Sequence, residues 1–183
     1  MEALISLSQL YPPFFYGLVF LVSLMVGSFL NVVIHRLPIM MENSWKQEYS
    51  AYFTNENTPQ NDVSAPFNLV KPDSTCPACG HKIRPWENIP VISYLCLKGK
   101  CASCKTPISL RYPFVELFTA LTCTFAAFYF GPSPQALWAM VLTYFLVAML
   151  FIDLDKMLLP DQLTLPLLWL GLLLSTHTVF VDM

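Results

Sequence analysis

Phe151-Ile152-Asp153-Leu154-Asp155-Lys156-Met157-Leu158-Leu159-Pro160-Asp161 sets three carboxylates between two long apolar runs, 135–152 and 163–181. Each run is long enough to cross a bilayer, which takes roughly 17–25 apolar residues as helix. Asp153 directly abuts the first of them, and an ionisable group at that depth is costly enough to be read as functional. Asp155, Lys156 and Asp161 also suit a plain water-exposed turn between two helices. Pro160 supports the turn, because it disfavours helix at Leu159 and suits the first position of a new one.

The rest of the chain has the same character. Of its 183 residues, 55% are hydrophobic and only 12% charged, against about 25% charged in a soluble domain. The composition is that of a membrane protein, with the lipid bilayer as its main surrounding. A net charge of -2 gives no sign of a nucleic-acid partner. No Lys or Arg precedes the first apolar run, so the basic start of a cleavable signal peptide is missing. After a lead over 1–13, the first membrane helix is predicted at 14–34, closed by His35-Arg36. Along it Ser23, Gly27 and Asn31 recur every four residues. Small residues so spaced form a packing seam, and Asn31 can hydrogen-bond across the contact.

Nine of the ten Lys and Arg residues lie between Arg36 and Arg111, and the tenth is Lys156. By the positive-inside rule both regions face the cytoplasm. The reading is an α-helical integral membrane protein with about four transmembrane helices, at 14–34, 113–130, 135–152 and 163–181. Residues 1–36 are then a periplasmic lead and first helix, 37–112 a cytoplasmic domain, and 113–183 three further helices. Within the cytoplasmic part, 42–68 reads as an insertion with helix early and little order later.

Cys76-Pro-Ala-Cys79 and Cys101-Ala-Ser-Cys104 are two CxxC pairs separated by 21 residues. Zn²⁺ takes four tetrahedral ligands, and each CxxC turn presents two thiolates to one ion. The spacer can return as a hairpin through Ile83–Tyr94. A disulfide or redox pair is the rival reading, but a cytoplasmic placement keeps thiols reduced. With Cys76, Cys79, Cys101 and Cys104 filling all four positions, such a zinc would be structural. Cys96 and Cys123 lack a partner at this spacing and read as ordinary apolar residues. Glu116, in the first turn after Pro113, either complements the helix N-terminus or, with Asp153, lines a cation path.

Four stretches together resemble the type IV prepilin peptidases, bacterial inner-membrane aspartic proteases that cut prepilin leaders. They are GSFLNVVIHRLP at 27–38, CPACGHKIRPWENIPVISYL at 76–95, GKCASCK at 99–105 with RYPFVEL at 111–117, and IDLDKMLLPDQLTLPLLWLGL at 152–172. The resemblance implies multi-pass residence in the inner membrane. It also implies cleavage after the glycine of a basic leader in prepilins and type II secretion pseudopilins. In many members the new terminus is then N-methylated from S-adenosyl-L-methionine. It maps the first catalytic aspartate to Asp153 and the zinc ligands to the four paired cysteines. Two carboxylates sharing a proton can serve as base and acid in peptide hydrolysis.

The chain departs from the family at one point. The second catalytic aspartate belongs to a later Gly-x-Gly-Asp motif, and no such sequence occurs among the six glycines here. The expectation is an incomplete protein, with the C-terminal part of the same enzyme as its missing partner. A membrane-anchored zinc adaptor without catalysis is the alternative.

Overall fold

Helix α1 (Pro12–Phe53) is the spine of the fold. After it come a 3₁₀ turn at Pro85–Asn88 and four further helices: α2 (Ile92–Cys96), α3 (Arg111–Phe130), α4 (Pro134–Lys156) and α5 (Asp161–Thr176). The computed structural model describes residues 11–53 and 67–176. Among them, three helices are long and apolar enough to cross a membrane: Pro12–Ser50, Arg111–Phe130 and Pro134–Lys156. The fourth expected span, 163–181, enters residues 177–181, which lie outside the described set, and its described part falls in α5.

Small residues set how α1 and α3 meet. A Cβ on Gly27 would stand 2.9 Å from the Glu116 Cα and 3.2 Å from the Thr119 Cβ, so only glycine allows this approach. One turn along α1, Asn31 Nδ2 donates to the Tyr112 carbonyl at 3.1 Å. The pairs 27 with 116 and 31 with 112 fix an antiparallel register. Ser23, Thr119, Ala120, Cys123 and Ala127 continue the seam, all at 0% exposure. Lipid tails are as apolar as Leu, so close packing and hydrogen bonds hold such helices together more than hydrophobic burial does. The expectation that Ser23, Gly27 and Asn31 form a seam agrees with this geometry.

Helix α4 closes the bundle against both. Ser23 Oγ and Tyr144 Oη lie 2.9 Å apart. Leu30, Val33, Ile34 and Leu37 from α1 pack with Val115 from α3 and with Val147, Phe151 and Ile152 from α4. Phe151 stands edge-on to both Phe114 and Phe118, with centroids 6.2 and 6.0 Å apart, a geometry aromatic rings favour. Ser133 caps the start of α4 by accepting from the Ala136 amide at 3.3 Å, with Pro134 in the first turn.

Three boundaries differ from the sequence reading. His35-Arg36 do not end α1, which runs on through Pro38 to Phe53. An interior proline removes one helical hydrogen bond and strains the backbone by ~3 kcal/mol or more. The residues beyond it offset this by docking, for Met41 packs on the core and Glu42 pairs with Lys156 at 3.0 Å. Helix α4 likewise continues past Ile152, so Asp153, Leu154, Asp155 and Lys156 form its last turn. Met157 then ends it in the left-handed region (φ 49°), with its amide on the Asp153 carbonyl at 2.8 Å. The return between the cysteine pairs is not a hairpin over 83–94 but the 3₁₀ turn followed by α2.

Candidate functional site

The two CxxC turns fold alike. In the first, the Cys76 amide donates to the His81 carbonyl (2.9 Å) and the Gly80 amide to the Cys76 carbonyl (2.9 Å). In the second, the Cys101 amide donates to Thr106 (2.9 Å) and the Lys105 amide to Cys101 (3.1 Å). Each turn is flanked by one antiparallel bridge, Thr75 with Lys82 and Lys100 with Pro107. Each also turns on a positive φ, 69° at Gly80 and 59° at Lys105. Only the first uses glycine there, so the second carries the left-handed strain of a side chain.

These turns bring the four sulfurs of Cys76, Cys79, Cys101 and Cys104 within 4.8 Å of one another. Four thiols converging from two such turns are a donor set suited to one tetrahedral metal. Backbone amides already favour thiolate at part of the cluster. The Ala78 and Cys79 amides lower Cys76. The Thr106 hydroxyl and amide draw Cys104 down to about 6. At Cys79 the His81 amide also favours the thiolate, yet Cys104, burial and the other two sulfurs push it up to about 11. Two proton-poor sulfurs beside a proton-rich one follow from crowding, because neighbouring thiolates of like charge cannot all ionise. His81 Nε2 lies 3.2 Å from Glu87 Oε2. Glu87 also accepts from the Arg84 amide at 3.1 Å, which together with His81 lowers its carboxyl.

The module is tied to the bundle at two points. The Arg36 side chain is buried (9% exposed) and donates to the carbonyls of Asn68 (3.0 Å), Leu69 (3.3 Å) and Pro72 (2.7 Å). Glu116 Oε2 accepts from the Val91 amide at 2.8 Å. Helix α3 starts at Arg111 with no acidic residue in its first turn. Glu116 therefore does not serve the helix N-terminus, contrary to the reading from Pro113.

At the same end of the bundle lies the acidic stretch. Arg111, the first residue of α3, pairs with Asp155 and sits over the Phe151 ring at 5.8 Å. Lys156 is held by Glu42. The flanking charges are thus engaged, while the exposed Asp153 carboxylate has no hydrogen bond or ion pair among the described residues. Asp155 is not the free turn carboxylate the sequence suggested. Arg111 was missed, although a cation at a helix N-terminus opposes the helix dipole and so signals a partner elsewhere.

The bacterial peptidase A24 N-terminal domain matches residues 21–130, and the type IV leader peptidase family matches 140–183. The chain belongs to the bacterial A24 peptidases, the type IV leader peptidases. Relatives of the chain carry the name prepilin leader peptidase/N-methyltransferase. That of Aeromonas salmonicida (strain A449) is 55% identical over 96% of this chain and 60% of its own length. That of Aeromonas hydrophila is 52% identical over 100% of this chain and 62% of its own. That of Pseudomonas aeruginosa is 54% identical over 89% and 55%. The chain thus spans about 60% of the length of the Aeromonas relatives. No solved structure matches it. In this leader-peptidase chain, the first family match holds the cysteine cluster and Arg111, and the second holds Asp153.

Proposed function

We propose that this chain processes type IV prepilins and related pseudopilins, cutting the leader and supporting N-methylation of the new terminus from S-adenosyl-L-methionine. The observation that carries the reading is 52–55% identity to prepilin leader peptidase/N-methyltransferases over nearly the whole chain. The geometry is consistent with it. Asp153, at the end of a membrane helix, has no polar partner among the described residues, while Asp155 and Lys156 of the same turn are engaged by Arg111 and Glu42. It supplies one half of an aspartate dyad. An ionised Asp153 takes a proton from water, and a protonated partner carboxyl polarises the scissile carbonyl.

Cys76, Cys79, Cys101 and Cys104 hold one structural Zn²⁺, which leaves no open position for substrate. The protein lies in the bacterial inner membrane and crosses it several times. Residues 37–112 and 153–161 are on the cytoplasmic side, where nearly all the Lys and Arg lie. A basic prepilin leader then meets Asp153 on the side that retains positive charge.

The test is a cleavage assay on a purified prepilin. It compares residues 1–183 alone with the same polypeptide joined to the remainder of a full-length relative. Cleavage by the joined protein and none by 1–183 alone supports the dyad. A joined protein that keeps its metal yet neither cuts nor methylates would favour a non-catalytic adaptor.

A further inference from the structure

Residues 85–97 carry more apolar surface than a water-exposed linker holds. Trp86 is 62% exposed, Ile92 58% and Leu95 68%, and Ile89 is exposed as well. Ile92 and Leu95 stand one turn apart on α2 and so share a face. Tyr94 faces the module instead, its hydroxyl donating to the Ile108 carbonyl at 3.4 Å. An exposed apolar patch of this kind marks either a partner or a membrane contact.

The depth of the segment decides between them. Its Val91 amide is held by Glu116, which lies five residues beyond Arg111, about 7.5 Å along the helix axis at 1.5 Å per residue. Helical side chains lean toward the N-terminus, which returns part of that distance. Val91 still sits alongside the N-terminal turns of α3 and not above its end. Glu116 cannot shift outward, because its backbone is packed on Gly27, nine residues before Arg36 in the apolar part of α1. The exposed apolar belt of α3 begins at the same level with Tyr112 and Phe114.

We propose that residues 85–97 form an interfacial membrane element whose exposed face is covered by lipid. Trp86, Ile89, Ile92 and Leu95 enter the leaflet at the Arg111 end of the bundle. Arg84, Lys98 and Lys100 bracket this tip and are exposed, placed to meet anionic headgroups. Glu87, the one carboxylate between 84 and 100, is occupied by His81 and the Arg84 amide. Part of the tip's backbone is paired within the tip, which lowers the cost of lipid surroundings. The amides of Ser93, Leu95, Leu97 and Gly99 donate to the carbonyls of Ile89, Val91, Ser93 and Tyr94. The distribution of Lys and Arg alone would leave this stretch in water with the rest of 37–112. Its anchor on Glu116 lowers it to the bilayer surface.

The test places photo-crosslinking benzoylphenylalanine at Leu95 of the whole chain in phosphatidylglycerol–phosphatidylethanolamine vesicles. Leu121, exposed midway along α3, and Ser74, exposed on the module, are the references. Lipid adducts are expected at 95 and 121 and not at 74. A protein adduct at 95, or none, would overturn the proposal. A second measurement avoids a bulky substitution. With Trp45, Trp138 and Trp169 changed to Phe, Trp86 should be quenched more by brominated lipid than by aqueous acrylamide. The inverse pattern would contradict lipid burial.

Discussion

Arg111 at the start of α3 and Asp155 in the last turn of α4 form an ion pair across 44 residues of sequence. The pair also sets Arg111 against the Phe151 ring, so it fixes the helical turn that carries Asp153. Both side chains keep about a third or more of their exposure (40% and 34%), and an ion pair so placed contributes only about 0–1 kcal/mol. Its effect is on position more than on stability. In the chain joined to the remainder of a relative, Arg111→Ala should lower kcat for prepilin cleavage with KM little changed, and Arg111→Lys should restore part of the loss. Equal losses in both variants, tracking a fall in thermal stability, would show that Arg111 only supports the fold.

Gly27→Ala should destabilise the bundle. Its new methyl group meets backbone of Glu116 at 2.9 Å, which cannot rotate away. Overpacking of this kind costs about 1–3 kcal/mol, partly offset by a gain of up to ~1 kcal/mol in helix propensity. Gly17, with nothing within 4 Å, is the control, and Gly17→Ala should show only the gain. Thermal unfolding in detergent reads the difference, and equal behaviour of the two variants would refute the close approach.

The two cysteine turns predict opposite responses at equivalent positions. Lys105→Gly relieves a side chain held at φ 59° and should stabilise the module by roughly 1 kcal/mol. Gly80→Ala introduces that strain and should destabilise it by a similar amount. Resistance to a zinc chelator, measured for both, should rise in the first and fall in the second.

One Zn²⁺ per chain is expected by elemental analysis, lost in a Cys76→Ser, Cys101→Ser double variant. Protons and metal compete for the same thiolates, so acidification should release the ion and alkaline pH should retain it. Stoichiometric metal in the double variant would rule out the four-cysteine site.

The sequence disclosed features that depend on local spacing. The stripe of Ser23, Gly27 and Asn31 and the paired CxxC turns are periodic, and periodicity survives without knowledge of neighbours. What it hid depends on distant partners. Helix α1 runs on past Pro38 to residues that find partners far away in sequence, Met41 on the core and Glu42 with Lys156 across 114 residues. Asp155 is engaged because Arg111 reaches it, and Glu116 is buried against a loop amide 25 residues away. The polar composition after Arg36 did not mark the end of the helix, which continues to Phe53. Cys123 read as an ordinary apolar residue, and at 0% exposure beside Ser23 and Tyr144 it fills the seam.

The proposed role of Asp153 is tested most directly by Asp153→Asn in the chain joined to the remainder of a relative, with prepilin cleavage and methylation of an already cut substrate measured on the same preparation. Cleavage should be abolished while methyl transfer and zinc content persist, and Asp161→Asn should keep at least part of the cleavage. Efficient prepilin cleavage by the Asp153→Asn enzyme would contradict the assignment outright.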